Sequence, residues 1–220
     1  MSATEKKSAG PNATEMHYPI LPERMAPIPP EQWTPEQRQL AEDVTSGARK
    51  ELLGAFPTMI RSPDFLRPFY ETGEYCRFHS PVDKRLLHMA ALLTARSYTQ
   101  HFEWDVHVRH AKNVGLPDHI PAAIAEGRRP TNMTEEQEII YDFATELRMN
   151  QSVCDSTYAR AVEKFGEAGV IDILGNIGYY TALAMIMNVC RTPLAVAPRF
   201  EEGRPLPLVP MPQRFAIIKE

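Results

Sequence analysis

Apolar residues recur along most of the chain three and four positions apart, the spacing of helices that bury one face. No stretch alternates with period two for long enough to predict a strand. Thr34-Pro35-Glu36-Gln37 has the form of a capping box with proline at the first helical position. A loop is expected around Gly54 to Pro57. Ser62-Pro63-Asp64 opens a helix bearing Phe65, Leu66, Phe69 and Tyr70, and Ser80-Pro81-Val82-Asp83 opens another that runs to about Tyr98. A further helix runs from His101 to Asn113 or Val114 and stops at Gly115. A short one follows Pro117 and ends near Gly127. Thr134-Glu135-Glu136-Gln137 caps the next, whose apolar stripe is Ile139, Ile140, Phe143 and Leu147. Asp155 or Ser156 caps a helix to Phe165-Gly166, and the last covers about Ala168 to Cys190. No internal repeat is visible. The expected fold class is therefore all-α, in three parts: a Pro-rich arm over 1–30, a helical domain over 31–198 and a Pro-rich tail over 199–220.

Composition narrows the partners. The 220 residues carry a formal charge of -4 and no basic stripe, which argues against nucleic acid. Cys76, Cys154 and Cys190 are odd in number and far apart, with no metal-ligand spacing, so a reducing, cytoplasmic setting is expected. Their basic neighbours Arg77 and Arg191 read as surface groups. The polar start of the chain has no secretory pattern, and the apolar run from Ile177 to Val189 reads as a core helix rather than a membrane span. The helices after Pro81 are apolar nearly all round, which predicts a homo-oligomer, with the arm and tail embracing a neighbour.

The chemistry concentrates between His88 and His110. At about 100° per residue, Asp105, Arg109 and Lys112 share a narrow polar sector of their helix, while Glu103 and His107 fall in the broad apolar arc with His110 beside them. A buried carboxylate stacked with an imidazole is costly unless paired. The structural alternative is a core pair, with His107 bonded to Glu103. His88 interrupts an otherwise apolar helix and comes near that face if the two helices are antiparallel. Arg96 suits a substrate carboxylate by a bidentate bond, whereas Arg85 reads as an ordinary ion pair. A metal reading would use His88, His101, Glu103, His107 and His110, but Glu-x3-His-x2-His is no established ligand spacing.

Apolar helix, Thr94-Ala95-Arg96, Glu103-Trp104-x-x-His107 and Gly115-Leu116 follow in that order. Ser62-Pro63-Asp64-Phe65-Leu66 lies upstream, and Phe165-Gly166-Glu167-Ala168-Gly169 and Gly178-Tyr179-Tyr180-Thr181 lie downstream. Over about residues 35–195 this order resembles the carboxymuconolactone decarboxylase family, which also holds the alkylhydroperoxidase D-like proteins. The resemblance implies an alkylhydroperoxidase D-like helical bundle, no cofactor, no metal, and assembly as dimer, trimer or hexamer. Peroxidase members carry a CxxC pair seven and four residues before the histidine. Here Gln100 and Glu103 stand at those positions, so disulfide-relay peroxide chemistry, though present at family level, is disfavoured. Where members commonly carry a glutamate nineteen residues before the histidine, this chain has His88. The thiol-free branch implies a lyase, decarboxylating a carboxylated lactone or keto acid. His107 would be the proton donor or acceptor, with Glu103 orienting it and His88 facing the developing oxyanion. Arg96 would hold the carboxylate, and Trp104, Tyr98 and Phe102 would form an apolar wall. The expected partner is a small-molecule substrate, without nucleic acid or membrane. A non-catalytic helical protein that binds a small ligand or another subunit is the remaining alternative.

Overall fold

In the computed structural model, residues 22–193 are described, and they contain helices and no strand. The helices are α1 (Pro35–Ser46), α2 (Phe56–Met59), α3 (Pro63–Glu74), α4 (Lys84–Ser97), α5 (His101–Asn113), α6 (His119–Ala125), α7 (Glu135–Asn150) and α8 (Asp155–Cys190), with a single π-helical turn, Tyr75–His79, after α3. The all-α expectation holds. The short α2 replaces the loop expected after Gly54.

The helix starts obey local chemistry. The Thr34 hydroxyl accepts from the Gln37 amide (3.2 Å) while the Gln37 side chain accepts from the Thr34 amide (3.0 Å). Thr134 and Gln137 repeat the arrangement at α7. Each box satisfies two of the amides that a helix leaves unpaired at its start. Asp83 caps α4, accepting from the Arg85 amide at 2.8 Å. Arg85 itself pairs with Asp83 in solvent, as an ordinary ion pair should. The cap of α8 is Cys154, one residue before the expected acid. Gly166, at φ 68°, breaks α8 where the sequence predicts a boundary, a conformation that costs glycine little. The helix as a whole is long and apolar enough to cross a membrane by length and composition, yet half of its most apolar window is buried against other helices.

Two cores meet on α4. Met89, Ala90, Leu92 and Ala95 pack with Trp104, Ile120, Ile140, Phe143 and Ile173 on one side. Ala91 packs with Leu40, Ile60, Leu66, Tyr180 and Leu183 on the other. Burial of this kind contributes about 25 cal/mol for each Å² of apolar surface, so α4 anchors both halves. Helix α3 approaches α8 closely at Gly73, where an added Cβ would lie 2.1 Å from Cζ of Tyr179. Tyr179 is held by stacking on Phe69 (4.8 Å) and by a hydrogen bond from Arg49 (3.2 Å) to its hydroxyl. Gly73→Ala should therefore lower stability by about 1–3 kcal/mol, read from urea unfolding.

Between Pro22 and Pro30 the arm makes contacts within its own chain. The Arg24 amide donates to the Cys190 carbonyl at 2.9 Å and the Trp33 indole to the Ile28 carbonyl at 2.9 Å. The rest of the expected arm, and the tail, fall outside the described residues.

Candidate functional site

The turn between α4 and α5 sets the site. Gln100 caps α5, its side-chain oxygen accepting from the amides of Phe102 (2.6 Å) and Glu103 (3.3 Å). Its amide nitrogen donates to Asn188 (3.0 Å), which in turn donates to the Tyr98 carbonyl (2.9 Å). The α4–α5 hairpin is thus clamped to the end of α8. The residue standing at the first thiol position of the peroxidases is here a helix cap.

The antiparallel hairpin brings His88 onto His107, with Nδ1 to Nδ1 at 3.0 Å. Two imidazoles in such contact need one N–H and one lone pair, so both can be neutral. Burial drives both downward, His88 to about 3 and His107 well below its ordinary value, with the neighbouring rings and the Arg77 charge adding to the effect. His110 stacks on His88 at 5.5 Å. It contacts Arg77 through Nε2 at 2.6 Å. A guanidinium only donates, so Nε2 of His110 is the acceptor and its proton sits on Nδ1. Burial and then Arg77 bring His110 down to about 4. Tyr180 closes the group, edge-on to His107 at 4.4 Å.

Glu103 is 4% exposed, and neither carboxyl oxygen has a hydrogen-bond partner among the described residues. Burial alone pushes its pKa well above the ordinary value, so the neutral acid is favoured. Glu103 therefore does not orient His107, contrary to the expectation from their spacing. They share a helix face, but the Nδ1 of His107 is engaged by His88 instead. The structural alternative, a bonded Glu103–His107 pair, loses its premise for the same reason.

Glu103, His107, His110, Phe102 and Tyr180 border one cavity of about 480 Å³, within the range of small-molecule sites. Its wall also carries Arg49, Lys50, Arg77 and Arg109 against Glu51. Arg77, expected at the surface, is half-buried there with the His110 imidazole as its hydrogen-bond partner and, among the described residues, no carboxylate in salt-bridge contact. Arg49 is offset by Glu74 at 3.5 Å, and Arg109 by Asp105 at 3.4 Å. With Glu103 neutral, the hollow favours an anion.

The other expected binding residues are not brought to this cavity. Trp104 faces the opposite side of α5, beside a separate hollow of about 150 Å³ with Val108 and Leu116. Arg96 borders a third cleft between α4 and α7. Tyr98 ends α4 and is engaged through its carbonyl. Arg49, Arg77 and Tyr180 take their places. Among the described residues, no group of three or more His, Cys, Asp or Glu side chains is arranged to hold a metal ion. Among the described residues, no cysteine borders the cavity. Cys76 is buried, which pushes its thiol up, and Cys154 is exposed at the start of α8.

The helices and their order define an all-α fold of the alkylhydroperoxidase D type. The solved structure of a protein of unknown function from Agrobacterium tumefaciens, proposed as the antioxidant defence protein AhpD, superposes with a TM-score of 0.57 at 17% sequence identity, covering 63% of this chain and 96% of that one. Neither a family model nor a curated protein matches the sequence.

Proposed function

We propose that this protein is an acid/base enzyme that decarboxylates a small carboxylated lactone or keto acid. One observation carries the reading: a carboxyl group favoured in its neutral form and one imidazole, His107, held from behind by its hydrogen bond with His88, border the same cation-lined cavity. Decarboxylation needs an anion held in place, an electron sink and a proton for the carbon that loses its carboxylate. Arg77, with Arg49 and Lys50 near it, holds the substrate carboxylate. The bond to that carboxylate breaks, carbon dioxide leaves, and the electron pair enters the neighbouring carbonyl as an enolate. Glu103 gives up a proton to that enolate and is reloaded from water. His107 stabilises the oxyanion. If His88 donates across the 3.0 Å contact, Nε2 of His107 carries a proton and donates; if His107 donates, Nε2 is a base. His88 thereby sets which role His107 plays.

The AhpD name of the structural neighbour raises peroxide reduction as the other reading. A thiol relay requires two cysteines at the site, and Gln100 and Glu103 occupy those positions, so that reading is not adopted. The test is carbon dioxide release from a panel of carboxylated lactones and keto acids. At least one should turn over, and His107→Ala should lose at least a hundredfold in kcat. A panel without turnover, or a His107→Ala enzyme as active as wild type, ends the proposal.

A further inference from the structure

Arg96 is left without a task by the main cavity. It is 6% exposed, and its Nε and Nη1 are buried without a hydrogen bond among the described residues. A guanidinium in that condition is expensive, because the charge has lost water and gained no counter-charge. It borders a cleft of about 40 Å³, whose wall also includes Arg128, Tyr141, Thr145 and Arg148. Among the described residues, no carboxylate borders the cleft. Arg128 is engaged through Nε by Glu126, which leaves the two terminal nitrogens of its fork. Burial, and then the charge of Arg148, push Arg96 below its ordinary value.

We propose that this cleft is an anion site for a phosphate group, separate from the cavity that Glu103 and His107 border. The two share no bordering residue. Size and charge select the ligand. One water takes about 10–15 Å³ on this measure, so the cleft holds about three waters or one tetrahedral oxyanion, and the body of an organic acid does not fit. With Arg128 already paired to Glu126, the guanidinium groups of Arg96 on α4 and Arg148 on α7 still leave two charges at the cleft, more than a single carboxylate can satisfy. A phosphate brings close to two charges and several acceptor oxygens, and Thr145 and Tyr141 add hydroxyl donors. The group is either inorganic phosphate or the terminal phosphoryl of a small molecule. The site does not rest on the proposed decarboxylase activity.

Thermal unfolding of the full chain, in chloride and in inorganic phosphate at equal ionic strength, tests it. A hundredfold excess over Kd should raise Tm by about 5–10 °C. Arg148→Gln, at an exposed position that tolerates change, should weaken phosphate binding at least tenfold by calorimetry. Arg96→Met should abolish the response and raise Tm in chloride, since it removes an unpaired buried charge. Glycerol phosphate in place of inorganic phosphate separates the sources: binding by both identifies an open phosphoryl site, and binding by inorganic phosphate alone a closed one. A Tm that ignores phosphate overturns the proposal. So does a response kept in Arg148→Gln and lost in Arg77→Gln, which would move the ion to the main cavity.

Discussion

Glu103→Gln should yield a protein that is more stable and far less active. The carboxyl is buried and unbonded, and burial raises its pKa well above the ordinary value. In the unfolded chain the same group ionises freely at pH 7. Folding must therefore take up a proton, which costs free energy that grows as pH rises above the unfolded value. Glutamine has the same shape and no proton to take up. The variant should be more stable at pH 7 and rise in Tm, with the gain vanishing below about pH 4.5. Turnover should fall by about 10²–10⁴, the usual contribution of a positioned acid. Wild-type kcat should also fall as pH rises through the elevated pKa of Glu103, and that limb should be missing from the variant. The two measurements are unfolding against pH and carbon dioxide release against pH. A bonded structural ion pair predicts the opposite sign, a less stable variant. An enzyme that keeps full turnover removes Glu103 from the chemistry. The trade of stability for a poised acid is common at catalytic sites.

The parts of this site that are legible from sequence are those with a period or a cap. The capping boxes at Thr34 and Thr134, the stop at Gly115 and the break at Gly166 rest on local chemistry that tertiary structure does not override. The hairpin of α4 and α5 is legible too, and with it the approach of His88 to His107. Partner choice is not. Stacking four residues apart suggests a Glu103–His107 bond, but a helix face fixes only which residues are neighbours, and an imidazole from another helix takes the contact. Arg96 and Trp104 are misplaced by the sequence for a related reason. Helix α5 is covered on several sides, so its broad apolar arc does not say which side is hollow. Arg49 sits in a loop, Arg77 in a π-helical turn and Tyr180 in an almost wholly apolar run. None of the three settings has a polar periodicity against which an inward-facing group would stand out. The extra residue in the π turn also shifts the helical phase downstream of it, and Arg77 reads as surface from spacing alone.

Acid should unfold this protein steeply, through its histidines. His88 and His110 are lowered to about 3 and about 4, and His107 lies well below the usual value. All three are neutral in the fold over a range where the unfolded chain protonates them. The unfolded state then binds more protons, so stability falls as pH drops below about 6.5. Glu103 acts in the opposite sense. Its stability contribution is complete below about pH 4.5 and is lost as pH rises, which cancels about one of the three histidine protons between pH 4.5 and 6.5. Burial lowers His101 in the same sense, so the histidine protons outnumber the single proton at Glu103 and stability falls with acid across that interval. Urea midpoints measured from pH 4.5 to 8 would show a steep fall on the acid side of pH 6.5 and a shallower decline on the alkaline side for as long as Glu103 stays protonated in the fold. His88→Gln should remove about one proton from the slope, because glutamine keeps a polar group facing His107 and cannot be charged. A flat profile below pH 6.5 would mean that the imidazoles are already charged in the fold. The neutral pair at 3.0 Å, on which the switch in His107 depends, would then be absent.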